Sequence, residues 1–106
     1  MQEINHIKVK VKIIEERKLK AIIGLDYGNH VVKGFRVFES EYLNSRGEKL
    51  WLVPPSYKDL NDSYHPIFFM PDKDAWRQLE DRILDEYQRR QKEYYKKKYG
   101  IEDEEI

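Results

Sequence analysis

Near the start of the chain Ile7, Val9, Val11 and Ile13 alternate with Lys8, Lys10 and Lys12. This period of two puts every apolar group on one side of an extended strand; a helix would scatter them. The segment therefore reads as a half-buried β-strand. Glu15-Glu16-Arg17 makes a polar turn, and Lys18 to Leu25 resumes the pattern with Leu19, Ala21, Ile23 and Leu25 directed inward. Two strands joined by so short a turn form an antiparallel hairpin.

Asp26-Tyr27-Gly28-Asn29 supplies the next turn, because Gly and Asn tolerate the positive φ of tight hairpins. His30 to Phe38 carries bulk on both faces and reads as a central strand. A polar connection over residues 39–48 leads to a short fourth strand, Lys49 to Val53, which Pro54 and Pro55 stop. The next stretch, PPSYKDLNDSYHPI (54–67), can form neither strand nor helix comfortably, and is either slack between two elements or a surface built to touch something. IFFM (67–70) is apolar enough to dock on the sheet.

Asp72 is a good helix N-cap, its charge suiting the positive end of the helix dipole. Trp76, Leu79, Ile83 and Tyr87 then recur every three or four residues as one apolar stripe, widened by Leu84. Beyond Tyr87 the stripe fades into charge, continued by Tyr94, Tyr95 and Tyr99, until Gly100 ends the helix. The fold class is α+β: an antiparallel meander of about four strands followed by a C-terminal helix. One domain over residues 1–100 is expected, with a basic helical extension at 88–98 and an acidic tail at 101–106.

The length of 106 residues suits one domain, with a core thin enough that an obligate dimer is unsurprising. Cysteine is absent, so disulfides, thiolate zinc sites and cysteine nucleophiles are excluded. No apolar run approaches the roughly 20 residues that cross a bilayer, and MQEINHIKVK lacks a signal pattern. A cytoplasmic protein with no membrane contact is expected. Formal net charge is zero, yet residues 88–98 hold six basic groups and one acid, net +5, and residues 102–105 carry −4. The balance conceals local patches of opposite sign.

Catalysis finds no support. His6, His30 and His65 are too scattered for a metal site. Asp26, Asp59 and Asp62 sit in turns, where local capping accounts for them. Gly24 to Gly28 lacks the glycine density and following helix of a phosphate cradle. No cofactor and no small-molecule substrate is expected.

The cations admit two readings. Arg89, Arg90, Lys92, Lys96, Lys97 and Lys98 could neutralise phosphates, with the interleaved tyrosines stacking on bases. A solvated helix end whose charges favour the C-terminal dipole explains them as well, and on the residues alone is preferred. Lys8, Lys10 and Lys12, with Lys18 and Lys20 beside them, could form a positive sheet surface. Guarding an edge strand against aggregation explains them as well, and is preferred.

The run KLKAIIGLDYGNHVVKGFRVFES (18–40), then LWLVPPS (50–56), HPI (65–67) and a capped helix ending ILDEYQRR (83–90), resembles the SpoVG family, the stage V sporulation protein G or septation regulator. The likeness spans residues 4 to about 90 and lies in the order and spacing of the elements. It implies a small bacterial dimer with an antiparallel sheet and a C-terminal helix. Such proteins bind DNA or RNA as regulators, without enzymatic activity, in gene regulation linked to septation and sporulation. Ser56, Tyr57 and Lys58 then fall in the family's exposed basic loop, Tyr57 replacing a positive charge with a ring. Arg77, Arg82, Arg89, Arg90 and Lys92 extend the expected nucleic-acid site along the helix, although helical ion pairs explain Arg77 and Arg82 equally well. The alternative is a protein-interaction module using Tyr94, Tyr95 and Tyr99.

Overall fold

A computed structural model describes residues 7–68 and 70–100. The acidic tail, His6 and Phe69 of the IFFM segment lie outside the described residues. The order of elements is β1 (Lys8–Ile13), β2 (Leu19–Asp26), β3 (Val31–Glu39), β4 (Leu50–Val53), β5 (Ser56–Lys58), β6 (Tyr64–Pro66) and α1 (Lys73–Tyr99). β1 to β4 form one antiparallel sheet in sequence order, so the α+β meander and the central position of β3 are as expected.

Cross-strand partners carry side chains on the same face of a sheet. Val9 pairs with Leu25, Val11 with Ile23 and Ile13 with Ala21, which gathers the apolar set of the first hairpin on one side. Phe35, Val37 and Leu52 complete this inner face. The helix closes it with Leu79, Ile83, Leu84 and Tyr87, all of them buried. Burial of this much apolar surface is the main source of stability.

Two register shifts break the β2–β3 ladder, between Leu19 and Ala21 and between Ile23 and Gly24. The extra residues are Lys20 on β2 and Gly34 on β3, the latter at φ 102, a conformation that glycine alone adopts without penalty. Each bulge changes which face the following residues meet. Leu19, expected inward, lies opposite Phe38 instead and joins the outer face. Lys20, expected beside the β1 lysines, lines an inner cleft with Tyr87 and Tyr95, and its ammonium donates to the carbonyl of Glu16.

The helix begins and ends where its caps dictate. Asp72 Oδ1 accepts from the backbone N–H groups of Asp74 and Ala75, and Gly100 closes the C-terminus in the left-handed conformation at φ 67. One flank runs along β1, where Arg82 donates to the carbonyl of Ile7 at 3.3 Å. Farther on, Tyr94 and Lys98 both bond Glu15 in the first turn. The opposite flank is held by the β3–β4 connection through Arg46.

Residues 54–67 are more ordered than expected. Pro54 and Pro55 do stop β4, but Ser56–Lys58 and Tyr64–Pro66 pair as a small hairpin. Asp59 makes the turn: its Oδ1 accepts from Asn61 and Ser63 N–H, and Asp62 takes φ 64. This side-chain scaffold replaces the apolar pattern that short strands ordinarily need. Pro55 anchors the base, its carbonyl accepting from Ile67 N–H at 2.8 Å. Phe68 then packs edge-on against Phe35 with ring centroids 5.0 Å apart, as the docking of the IFFM segment requires.

Candidate nucleic-acid interface

The eight expected site residues fall into separate places. Ser56, Tyr57 and Lys58 are all exposed on the β5–β6 hairpin. Tyr57 stacks on His65 with ring centroids 5.1 Å apart, while Lys58 lies 3.4 Å from Asp62 and over the ring of Tyr64. On the helix, a turn of roughly 100° per residue sets Arg77 about 140° away from Arg82. Arg82, Arg89 and Arg90 share the flank beside β1.

Carboxylates occupy that flank too. Glu86 takes Arg89 at 2.5 Å, Arg90 at 3.1 Å and Arg82 at 3.9 Å, and Arg89 also reaches Glu93 at 2.7 Å. The Arg89 hydrogen bond, with Arg90 assisting, holds the Glu86 carboxyl below its ordinary range. Arg82 additionally donates to Ile7 O, and so bridges helix and sheet. Arg77 and Lys92 are exposed, and neither pairs with a carboxylate among the described residues. Among the described residues no continuous cationic strip joins hairpin and helix.

A different surface does concentrate positive charge. The face of the sheet away from the helix is built of cross-strand rows: Lys8, Asp26 and Val31; Lys10, Gly24 and Lys33; Lys12, Ile22, Arg36 and Val53; then Leu19, Phe38 and Trp51. Successive rows lie about 6.8 Å apart along the strands. Lys10 pairs weakly with Asp26 at 3.8 Å. Among the described residues no carboxylate pairs with Lys8, Lys12, Lys33 or Arg36. Gly24 leaves room for its neighbours: the Cγ of Lys33 lies 3.8 Å from the point a Cβ on residue 24 would occupy.

The last row is aromatic. Trp51 is 61% exposed, and its ring centroid stands 6.2 Å from that of Phe38. Trp51 also borders an open groove of about 1010 Å³, with Arg17, Lys18 and Lys49 and the acids Glu39 and Glu41 around it. Alternation from Phe35, Val37 and Leu52 does carry Arg36, Phe38 and Trp51 outward, but Lys33 escapes such a reading. Counting by twos from Phe35 places Lys33 inside the core, and only the bulge at Gly34 carries it outward. A glycine inside an otherwise β-forming run is the one sequence signal of that bulge.

Among the described residues no three His, Asp or Glu side chains gather as they would around a metal ion, and no helix is long and apolar enough to cross a membrane. No protein-family model, no curated protein and no solved structure matches this chain.

Proposed function

We propose that this chain is a non-enzymatic nucleic-acid-binding regulator, cytoplasmic and dimeric, of the kind the SpoVG resemblance implies, and that the open face of its sheet meets the phosphates. One contrast supports the choice of surface. The arginines of the helix flank lie against Glu86 and Glu93, whereas Lys8, Lys12, Lys33 and Arg36 stand on the open face without a carboxylate partner among the described residues. A phosphate approaching the first group must displace an ion pair; one approaching the second gains its full attraction and releases counterions. The absence of cysteine fits a reducing interior.

The test is a filter-binding titration against mixed DNA and RNA pools at several salt concentrations. Binding that weakens with salt, and weakens further when Lys12, Lys33 and Arg36 are replaced by Ala together, supports the proposal. No binding at low salt ends it. Light scattering at two protein concentrations tests the dimer.

A protein-docking role has a separate observation in its favour. The β5–β6 arm and its exit carry Leu60 fully exposed and Tyr57, Tyr64 and Ile67 more than half exposed, a cluster of the sort that marks contact surfaces. Two of the helix tyrosines are less available, since Tyr94 is bonded to Glu15 and Tyr95 is half-buried and stacked on Tyr99, which itself is 59% exposed. Capture of a partner that is lost on replacing Leu60 and Tyr64, with no nucleic-acid binding, would favour this second role.

A further inference from the structure

We infer that the open sheet face takes unpaired, single-stranded nucleic acid, with Trp51 and Phe38 stacking on bases and Lys33, Arg36 and Lys12 following the phosphates. The inference rests on the nucleic-acid reading of that face and names its ligand class.

Shape argues first. Duplex DNA is read by an element inserted into a groove, most often a helix in the major groove. Here α1 lies against the inner face of the sheet, its apolar stripe buried, so the helix is on the wrong side to accompany these cations into a groove. What remains is a broad four-stranded surface, and on it only splayed bases can reach a ring.

The rings supply the second argument. An indole 61% exposed beside a phenyl ring is an apolar platform facing solvent. Stacking suits a base because every base presents a π-face. Paired bases are already stacked on their neighbours and hide those faces, so the platform selects for strands that are not in a duplex.

Placement of charge is the third. Arg36 and Phe38 are two residues apart on β3 and share a face, so their backbone positions lie one row, about 6.8 Å, apart. Lys12 continues the Arg36 row across β2 to β1, and Lys33 follows in the next row. Gly24, in that same row, removes the side chain that would otherwise stand between Lys10 and Lys33. A backbone leaving Trp51 therefore meets arginine, then lysines, over a low floor. Within these rows the acid is Asp26, which stands in the row farthest from the rings and is engaged by Lys10, while Glu39 and Glu41 lie around the neighbouring groove that Trp51 borders.

The two tryptophans give a direct assay, because Trp76 can be replaced by Phe to leave Trp51 as sole reporter. Oligo(dT), oligo(U) and a blunt duplex of equal charge are titrated into this variant. Quenching by either single strand, with at least about ten-fold weaker binding of the duplex, supports the inference. Trp51→Ala should weaken single-strand binding by roughly 5- to 150-fold, the usual worth of one stacked base, while Trp51→Phe retains most of it. Because Trp51 points away from the core, both variants should melt as the parent does, which separates lost stacking from lost folding. Equal affinity for duplex and single strands, unaffected by Trp51→Ala, overturns this inference and leaves the nucleic-acid reading standing. No binding of any of the three overturns both.

Discussion

Glu86 holds Arg89 and Arg90 together, accepting from the first at 2.5 Å and from the second at 3.1 Å with the same carboxylate oxygen. Of the six cations in the basic block that stands out in the sequence, Arg89 and Arg90 are thus neutralised from within their own helix, by pairing at three- and four-residue spacing. Glu86→Gln keeps the shape and removes the charge. The variant should bind nucleic acid more tightly than the parent at low salt, since Arg90 loses its carboxylate partner and Arg89 keeps only Glu93. Arg89→Ala with Arg90→Ala in the parent should alter affinity less than the Lys33→Ala, Arg36→Ala pair. For single strands that second pair should lower the slope of log affinity against log salt by about 1.4, roughly 0.7 for each phosphate no longer neutralised. The reverse ranking in a salt titration would return the interface to the helix.

Arg46 ties the β3–β4 connection to the helix, with Asp85 at 2.7 Å, Asp81 at 3.5 Å and Glu48 at 3.0 Å. Its side chain is only 18% exposed. Arg46→Ala leaves three carboxylates facing one another across a half-buried gap, and should destabilise the fold by about 2 kcal/mol in urea unfolding. Lys92→Ala, on the exposed back of the same helix, should lie within about 0.5 kcal/mol of the parent.

The hairpin turn depends on an ionised Asp59. A carboxylate only accepts, so His65 Nε2, 2.6 Å away, is the donor between them. That bond and those from Ser63 and Asn61 N–H lower the Asp59 pKa from its ordinary 3.8. A carboxylate whose folded pKa is depressed contributes stability that is complete above the unfolded value and fades as pH falls through the folded one. The hairpin should therefore hold above pH 3.8 and loosen below it. In an NMR titration the amide signals of Asn61 and Ser63 should move together with a midpoint under 3.8, and Asp59→Asn should abolish that movement. A midpoint at or above the ordinary value would contradict this account of the turn.

Gly34 and Gly24 make a contrasting pair. Gly34 sits at φ 102, and a Cβ there would approach Pro55 at 3.5 Å. The approach is ordinary but the backbone is not, so Gly34→Ala should cost about 1–2 kcal/mol in thermal or urea unfolding. It should also weaken nucleic-acid binding, because the bulge is what turns Lys33 outward. Gly24 has no positive φ, and a Cβ there would meet nothing nearer than 3.8 Å. Gly24→Ala should fold as well as the parent. If Gly34→Ala proved neutral for both stability and binding, the bulge would have no part in shaping the face.

Elements with a local cause were legible in the order of residues alone. Alternation from Ile7 to Ile13 and from Ala21 to Leu25 specified two strands and their buried side. Asp72 and Gly100 specified both ends of the helix, and Trp76 to Tyr87 the stripe by which it packs. Each of these follows from side chains a few residues apart, so periodicity and capping suffice to find them. Whatever depends on a partner distant along the chain emerged only with the fold. A bulge exists only relative to the strand opposite, so the faces taken by Leu19, Lys20 and Lys33 could not follow from counting along one strand. The pairing of Ser56–Lys58 with Tyr64–Pro66 rests on one carboxylate and a buried proline rather than on an apolar pattern. Whether a cation stands open or neutralised depends on which carboxylates the fold brings beside it, because Coulomb attraction acts through space and takes no account of order along the chain.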